Sequence, residues 1–366
     1  MPAPIPILLM VRELNLGGSE RQMAEIAKAL DRAKFDPHAG CFRAGGLRAD
    51  DLRQAGVPVV NFDVPSIMSL KGAWQIVRYI REKKIRLVHT FDTPANLYGV
   101  PAARVAASAI VLSSQRVDRS LWPPMQHHGL RLTDRMVDGV VVNCEFLRRH
   151  LQTDEKVPSD LIHLCYNGID TAVFQPRSRS KPDIFADAQL VIGVVCALRP
   201  EKGLRTLLQA FAEVRPLAAG IKLLIVGSGP CREDLQRDAA ALDILASCRF
   251  EPATSQVAEW LQAIDIFVLP SHSEAFSNSL MEAMACGCCV AASRVGGNPE
   301  LVAEGETGML FEAGNAQDLA RVLRTLVAGP ELRTRLAANA TDLIQRKFSL
   351  ETSARRMGEI YSEFLG

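Results

Sequence analysis

The feature that most limits what this chain can fold into is a steady alternation, beginning at Ile5, of short apolar runs with longer amphipathic stretches. Apolar runs bounded by turn residues suit strands buried on both faces, and amphipathic connections suit helices that cover them. The pattern predicts an α/β chain of parallel sheets. Expected strands in the first half are 5–11, 37–42, 57–62, 87–90, 110–114, 139–143 and 162–165, with helices at 19–30, 70–84 and 95–107. In the second half they are 190–196, 222–226, 248–250, 266–270, 289–292 and 308–311, with helices at 203–214, 233–242, 256–263 and 280–286.

A chain of 366 residues exceeds one typical core, so two domains are expected. The polar stretch from Gln175 to Pro182 (Gln-Pro-Arg-Ser-Arg-Ser-Lys-Pro) reads as the linker. Two doubly wound, Rossmann-like domains follow, at 1–175 and 176–345, facing a central cleft. The helical stretch 330–365 is long enough to leave the second domain, so residues 346–366 are expected to cross back to the first. Ligands of such sheets bind outside the carboxyl ends of the strands, and the cleft is where chemistry is expected.

Composition removes several classes of function. A net charge of +1 lacks the basic excess of a nucleic-acid binder. Residues 1–175 hold 22 Lys and Arg against 18 Asp and Glu, a difference of +4 that is compatible with resting on an anionic membrane surface. No apolar run reaches the roughly 20 residues that span a bilayer. The start has no basic segment or cleavage-like site, so it reads as a first strand rather than a signal peptide. The nine cysteines form no spaced framework, and reduced thiols in a cytoplasmic protein are expected. Cys286, Cys288 and Cys289 lack partners at ligand spacing, so no metal is expected.

Three segments carry chemistry. Asn15-Leu-Gly17-Gly18-Ser19-Glu20 follows the first strand and opens a helix; it suits either close approach of an anion or a tight turn capped by Ser19. It is not the GxGxxG dinucleotide pattern, which counts against an oxidoreductase. Arg199-Pro-Glu-Lys202-Gly203 places two cations between a strand and a helix, where a diphosphate would be held. The stretch Ser271-His-Ser-Glu274-Ala-Phe-Ser277-Asn278-Ser279-Leu-Met-Glu282 puts one acid in a loop after a strand and another on a helix capped by Ser277 or Asn278. Carboxylates there accept hydrogen bonds from sugar hydroxyls, while the amides near Asn278 and Ser279 suit phosphates.

Taken in order, these segments make the chain resemble the retaining glycosyltransferases of family 4, which have the two-domain GT-B fold. The Glu274-x7-Glu282 signature is accompanied by Asn167-Gly-Ile-Asp170, Pro200-Glu-Lys-Gly203, Val226-Gly-Ser-Gly-Pro230, Gly296-Gly-Asn-Pro-Glu300 and Thr307-Gly308. The resemblance implies that Lys202 contacts the donor diphosphate, Glu282 holds the nucleotide ribose, and Glu274 lies by the transferred sugar. Gly17 and Gly18 match a loop closing over the phosphates; Gly227, Ser277, Asn278 and Ser279 fall in donor-binding motifs. The expected catalytic set is Glu274, Lys202, Arg199, His89 and Arg116.

The chain departs from the family pattern at three places. Ala197 stands where an arginine is usual, and Arg199 is the candidate replacement. Ser113-Ser-Gln115-Arg116 stands where a histidine is often found, so Gln115 or Arg116 is expected to face the sugar. Phe250-Glu251-Pro252 lacks a usual glycine near the base. His89 is expected to point towards the cleft, where it either assists at the reacting centre or donates a hydrogen bond in a packed loop; Asp92, Arg116 and Asp118 share that rim, and His127-His128 reads as surface or acceptor groove.

The implied function is transfer of a sugar from a nucleotide sugar, UDP-linked in preference to GDP-linked, to a glycan or lipid-linked acceptor in cell-envelope or exopolysaccharide synthesis. No cofactor is expected, because the cations do what a metal does elsewhere, and no Asp-x-Asp pair occurs. Peripheral membrane association is compatible with the apolar run 121–125. A nucleotide-sugar 2-epimerase and a non-catalytic nucleotide-sugar binder are the rival readings.

Overall fold

The computed structural model describes residues 3–15, 17–66, 68–119, 122–176, 185, 188–217 and 220–366, and structural statements below concern these residues. The chain divides into two compact units, Met1–Gly168 with Leu350–Gly366, and Ile169–Ser349. The changeovers therefore fall a few residues from the expected 175/176 and 345/346. Of the expected linker, residues 177–182 lie outside the described set.

In the first unit the order is β1 (Ile5–Val11), α1 (Gly18–Ala29), β2 (Phe35–Cys41), α2 (Leu47–Gln54), β3 (Val59–Asn61), α3 (Leu70–Glu82), β4 (Leu87–Thr90) and α4 (Thr93–Ala106). Then follow β5 (Ile110–Gln115), α5 (Pro124–Asp134), β6 (Gly139–Val142), α6 (Glu145–Thr153) and β7 (Ile162–Leu164). The strands form one parallel sheet in the order β3-β2-β1-β4-β5-β6-β7. Its direction of growth reverses between β1 and β4. Strand residues such as Ile7, Leu9, Val11 and Leu87 are buried because helices cover both faces.

The second unit continues with β8 (Leu190–Val195), α7 (Leu204–Val214), β9 (Ile221–Val226), α8 (Arg232–Ala241), β10 (Cys248–Glu251), α9 (Val257–Gln262) and β11 (Ile266–Leu269). It ends with α10 (Asn278–Ala285), β12 (Cys289–Ser293), α11 (Asn298–Leu301), β13 (Met309–Phe311), α12 (Ala316–Ala328) and α13 (Pro330–Lys347). Its parallel sheet runs β10-β9-β8-β11-β12-β13, with the reversal between β8 and β11. Helix α7 shows why the pattern works: Leu204, Leu207, Leu208 and Phe211 recur at helical spacing and all face the core. Each such side chain contributes about 1.5–3 kcal/mol by leaving water.

The helical stretch expected over 330–365 is two helices, of which the second matches the helix expected at 346–366. Phe348, at φ −124°, leaves the helical conformation, and its buried ring packs against Phe276 with centroids 5.5 Å apart. Its carbonyl accepts a hydrogen bond from Ile169 N at 2.9 Å. Beyond this break α14 (Leu350–Leu365) belongs to the first unit, where it packs on α1.

Candidate functional site

In the second unit the loops after β8 and β11 meet where strand order reverses. Lys202 Nζ, at the end of a short 3-10 turn (Pro200–Lys202), donates to Glu274 Oε1 at 2.6 Å. The same carboxylate oxygen accepts from Ser271 Oγ at 2.8 Å. Ser293 Oγ, at the end of β12, donates in turn to the Ser271 carbonyl at 2.6 Å. His272 N donates to the Glu201 carbonyl at 2.8 Å and so ties the two loops through their backbones. The ammonium and carboxylate are partly buried, which shields their attraction from water.

Close backbone packing holds this loop pair. Gly296, at φ +53°, lies so near the loop that a Cβ would stand 1.6 Å from the Glu274 carbonyl oxygen. Gly227 N donates to the Glu251 carbonyl at 3.0 Å, and a Cβ on Gly227 would meet the Cys196 carbonyl oxygen at 1.9 Å. Gly227 therefore seats the β9 loop on the turn that carries Arg199 and Lys202. The Arg232 guanidinium fastens the same corner through the carbonyls of Phe250 and Glu251, at 3.0 and 3.2 Å.

Helix α10 starts at Asn278, and Ser277 is its N-cap, accepting from Leu280 N at 3.3 Å. Ser277 Oγ also lies 3.2 Å from Ser279 Oγ. One turn further in, Glu282 is 3% exposed. The two acids thus differ in setting: Glu274 is an ion-paired loop residue and Glu282 a buried helix residue. Arg199 is 64% exposed, with Glu201 at 3.9 Å, so its guanidinium is free to reorient.

The first unit has a comparable junction. Asp92, just after β4, accepts from Arg12 N after β1 and from Ala95 N in α4, both at 2.7 Å. Burial pushes its pKa up to about 6 against those two amides. Gly17 caps α1 with no side-chain bond, which corrects the Ser19 cap; Ser19 lies inside the helix. A Cβ on Gly17 would collide with the Glu20 carboxylate at 2.1 Å. Gln22 exchanges two hydrogen bonds with the backbone of Gly168, at 2.9 and 3.0 Å, which fixes the Asn167-Gly168 turn against α1.

Arg116 stands at the end of β5 as expected. Its Nη1 donates to Asn167 Oδ1 at 2.6 Å, and its guanidinium lies 4.9 Å from the centroid of the Phe91 ring. Burial lowers its pKa to about 10, so it remains a cation at neutral pH. Gln115 does not face outward: it is buried, donating to the Val117 carbonyl and accepting from Arg119 Nε at 3.1 Å. Arg119 in turn makes a bidentate, buried pair with Asp134 at 2.6 and 2.8 Å.

His89 is also not a rim residue. It is fully buried, with Nδ1 2.8 Å from the Tyr361 hydroxyl of α14 and Nε2 2.9 Å from Ser114 Oγ. Both ring nitrogens are thus spent inside the fold, and burial followed by the charge of Arg116 holds its pKa well below 6.5. Of its two expected roles His89 takes the packed, hydrogen-bonding one, and its place in the catalytic set is corrected. His127 pairs with Glu155 at 2.6 Å.

Two family models divide the chain between them: Glycosyltransferase Family 4 over residues 16–173 and Glycosyl transferases group 1 over residues 176–343. The D-inositol 3-phosphate glycosyltransferase of Streptosporangium roseum is 30% identical over 374 residues, covering 96% of this chain and 80% of that protein. The chain belongs to the group 1, family 4 glycosyltransferases. The D-inositol 3-phosphate glycosyltransferase of Thermobispora bispora is 29% identical, covering 98% and 81%. Anabaena HepE, solved in complex with UDP, superposes with a TM-score of 0.86 at 22% identity, covering 98% of this chain and all of that one. The fold is GT-B, and the protein is a glycosyltransferase.

Several residues that build the glycosyltransferase's loops escaped the sequence reading. Ser271 and Ser293 each end or follow an apolar strand, and a lone hydroxyl at that position was the available signal. Arg232 carried none, because a basic residue opening a helix reads as solvated surface. Asn298, wholly buried with Nδ2 donating to the Ser293 carbonyl at 3.0 Å, lies inside the Gly296–Glu300 motif, where its spacing gave it no role of its own.

Proposed function

We propose that the protein transfers a sugar from a nucleoside diphosphate sugar, with UDP favoured over GDP, to a hydroxyl of a glycan or lipid-linked acceptor, with retention at the anomeric carbon. The observation that carries this reading is the Lys202–Glu274 pair at the strand reversal of the second unit. Ligands of doubly wound sheets bind at such reversals. Anabaena HepE has been solved with UDP-glucose, which favours uridine as the base.

In this reading Lys202 and Arg199 stabilise the departing diphosphate, beside the amides at the start of α10. Glu274 orients both Lys202 and the transferred sugar, and Glu282 supports the ribose. The bond from the anomeric carbon to the phosphate oxygen breaks, the acceptor oxygen bonds to that carbon, and its proton passes to the leaving phosphate. Arg116 is the first unit's candidate for contact with the acceptor or sugar. The cations serve in place of a metal ion, and the setting proposed is cell-envelope or exopolysaccharide synthesis in the cytoplasm.

The test is release of nucleoside diphosphate from a panel of UDP- and GDP-sugars with a matching panel of glycan, polyol phosphate and lipid-linked acceptors. Acceptor-dependent release, an α-linked product by NMR from an α-linked donor, and activity unchanged by a chelator are expected. Inversion at the anomeric carbon, or activity abolished by the chelator and restored by a divalent metal, would contradict the corresponding part. Accumulation of a free 2-epimer without acceptor would replace transfer by epimerisation.

A further inference from the structure

Helix α3 has two faces of different character. Gly72, Ile76, Val77 and Ile80 are buried and hold the helix against α4. At Leu70, Lys71, Trp74, Arg78 and Arg81, spaced to share one face of a helix, the side chains turn outward. Large apolar groups are left in water there: Leu70 is 85% exposed, Trp74 58%, and Met68 just before the helix 84%. Arg81 Nη2 donates to the carbonyl of Val105, another exposed apolar residue, so the patch continues onto the end of α4. The Ser69 cap, whose Oγ accepts from Gly72 N at 3.2 Å, fixes where the helix begins and hence which residues face out.

Three cations, Lys71, Arg78 and Arg81, lie on this face, Lys71 with Asp63 at 3.5 Å and Arg78 with Glu82 at 3.4 Å, and more follow the end of the helix. From Leu70 to Arg86 there are six cations, Lys71, Arg78, Arg81, Lys83, Lys84 and Arg86, against the single acid Glu82. That gives +5 within one short segment of a chain whose whole net charge is +1. The Arg78 guanidinium lies over the Trp74 ring, 4.8 Å from its centroid. Exposed Leu, Met and Trp set among long basic side chains match a bilayer interface, where apolar groups enter the acyl boundary and cations meet lipid phosphates.

We propose that this outward face of α3, with Met68 before it, docks on an anionic lipid bilayer. None of its residues belongs to the donor loops or to the Arg116 corner, so the surface goes beyond the reaction proposed above. A nucleic acid would use the same cations but leave Met68 and Leu70 without a partner. The bilayer satisfies both sets of groups.

The test is flotation of the full-length protein with vesicles of phosphatidylcholine alone or mixed with phosphatidylglycerol at about seven to three. Binding only to the mixed vesicles is expected, weakening as salt rises and screening shortens the reach of the charges. The double variant Lys71→Glu/Arg78→Glu should lower partitioning by about thirtyfold or more, since each cation near the surface contributes about fivefold. Trp74→Phe should remove the vesicle-induced blue shift of fluorescence, although Trp122 and Trp260 remain. Donor hydrolysis or transfer and the thermal midpoint should be unchanged in both variants, which separates lost docking from lost folding. Equal binding to neutral vesicles, undiminished binding by the double variant, or binding to an oligonucleotide but not to the mixed vesicles would overturn the proposal.

Discussion

Lys202 and Glu274 join the loop after β8 to the loop after β11, with 2.6 Å between their charged atoms, at the place where the second sheet reverses its order. A pair so placed has two consequences. It holds a cation at the carboxyl ends of two adjacent strands, and it makes each loop's position depend on the other. Ser271 and Ser293 extend the dependence to β12, because one bonds the carboxylate and the other bonds the first serine's carbonyl.

Removing either partner should therefore have different effects. Lys202→Ala should lower turnover by about 10²–10³-fold, as loss of one preorganised cation or donor typically does. It should also destabilise the second unit by about 1–3 kcal/mol, because a partly buried carboxylate loses its counter-charge. Glu274→Gln should lower turnover while costing less stability. Adding Glu274→Gln to Lys202→Ala should restore part of the lost stability, measured by denaturant unfolding; strict additivity would show that the pair is not coupled.

Gly296→Ala should damage the site without touching a charged group. A Cβ there would stand 1.6 Å from the Glu274 carbonyl oxygen, and the backbone at φ +53° disfavours any side chain. The loop must move, and a displacement of about 1 Å near reacting groups costs about 10²-fold in rate. Turnover and thermal midpoint should both fall. A variant with unaltered kinetics would show that the Glu274 loop tolerates displacement.

The strands were legible because burial on both faces makes each an uninterrupted apolar run, as in β1, β8 and β11. Short polar helices were not: α2, Leu-Arg-Ala-Asp-Asp-Leu-Arg-Gln, offers too few apolar positions to show a period. The break at Phe348 was hidden because it depends on a pocket beside Phe276 and on Ile169, far away in sequence. At the site, Ser277 as the α10 cap and Arg116 at the end of β5 could be placed from local pattern. His89 could not, since its partner Tyr361 is 272 residues distant and arrives on a helix that returns from the second unit. The Gly296–Glu274 approach is invisible for the same reason: spacing along the chain says nothing of contact between loops.

Breaking the Arg119–Asp134 pair should be among the costlier single changes in the first unit. Arg119 is fully buried and bidentate, and Asp134→Ala would leave its charge, among the described residues, with Gln115 and the more distant Glu155 at 3.9 Å. Removal of one member of a buried pair typically costs about 3–5 kcal/mol. Chemical denaturation should show that loss, whereas Arg119→Met with Asp134→Leu should recover most of it.

Buried His89 predicts a pH dependence of defined sign. Its folded-state pKa lies well below 6.5, so below that pH the unfolded chain binds more protons at this group than the folded one. The stability it contributes is complete above pH 6.5 and is lost as the pH falls below 6.5 towards the folded value. Asp92 acts in the opposite sense: raised from 3.8 to about 6, it favours the folded state as pH falls through that interval. The two oppose each other in the whole protein, so the comparison must be made against His89→Asn, which cannot titrate. Wild type should be the more stable above pH 6.5, and its advantage should shrink below that pH, by no more than about 1.4 kcal/mol per pH unit. Denaturant unfolding at several pH values measures the difference directly. An advantage that stayed constant, or grew in acid, would mean that His89 accepts a proton without leaving its place between Tyr361 and Ser114.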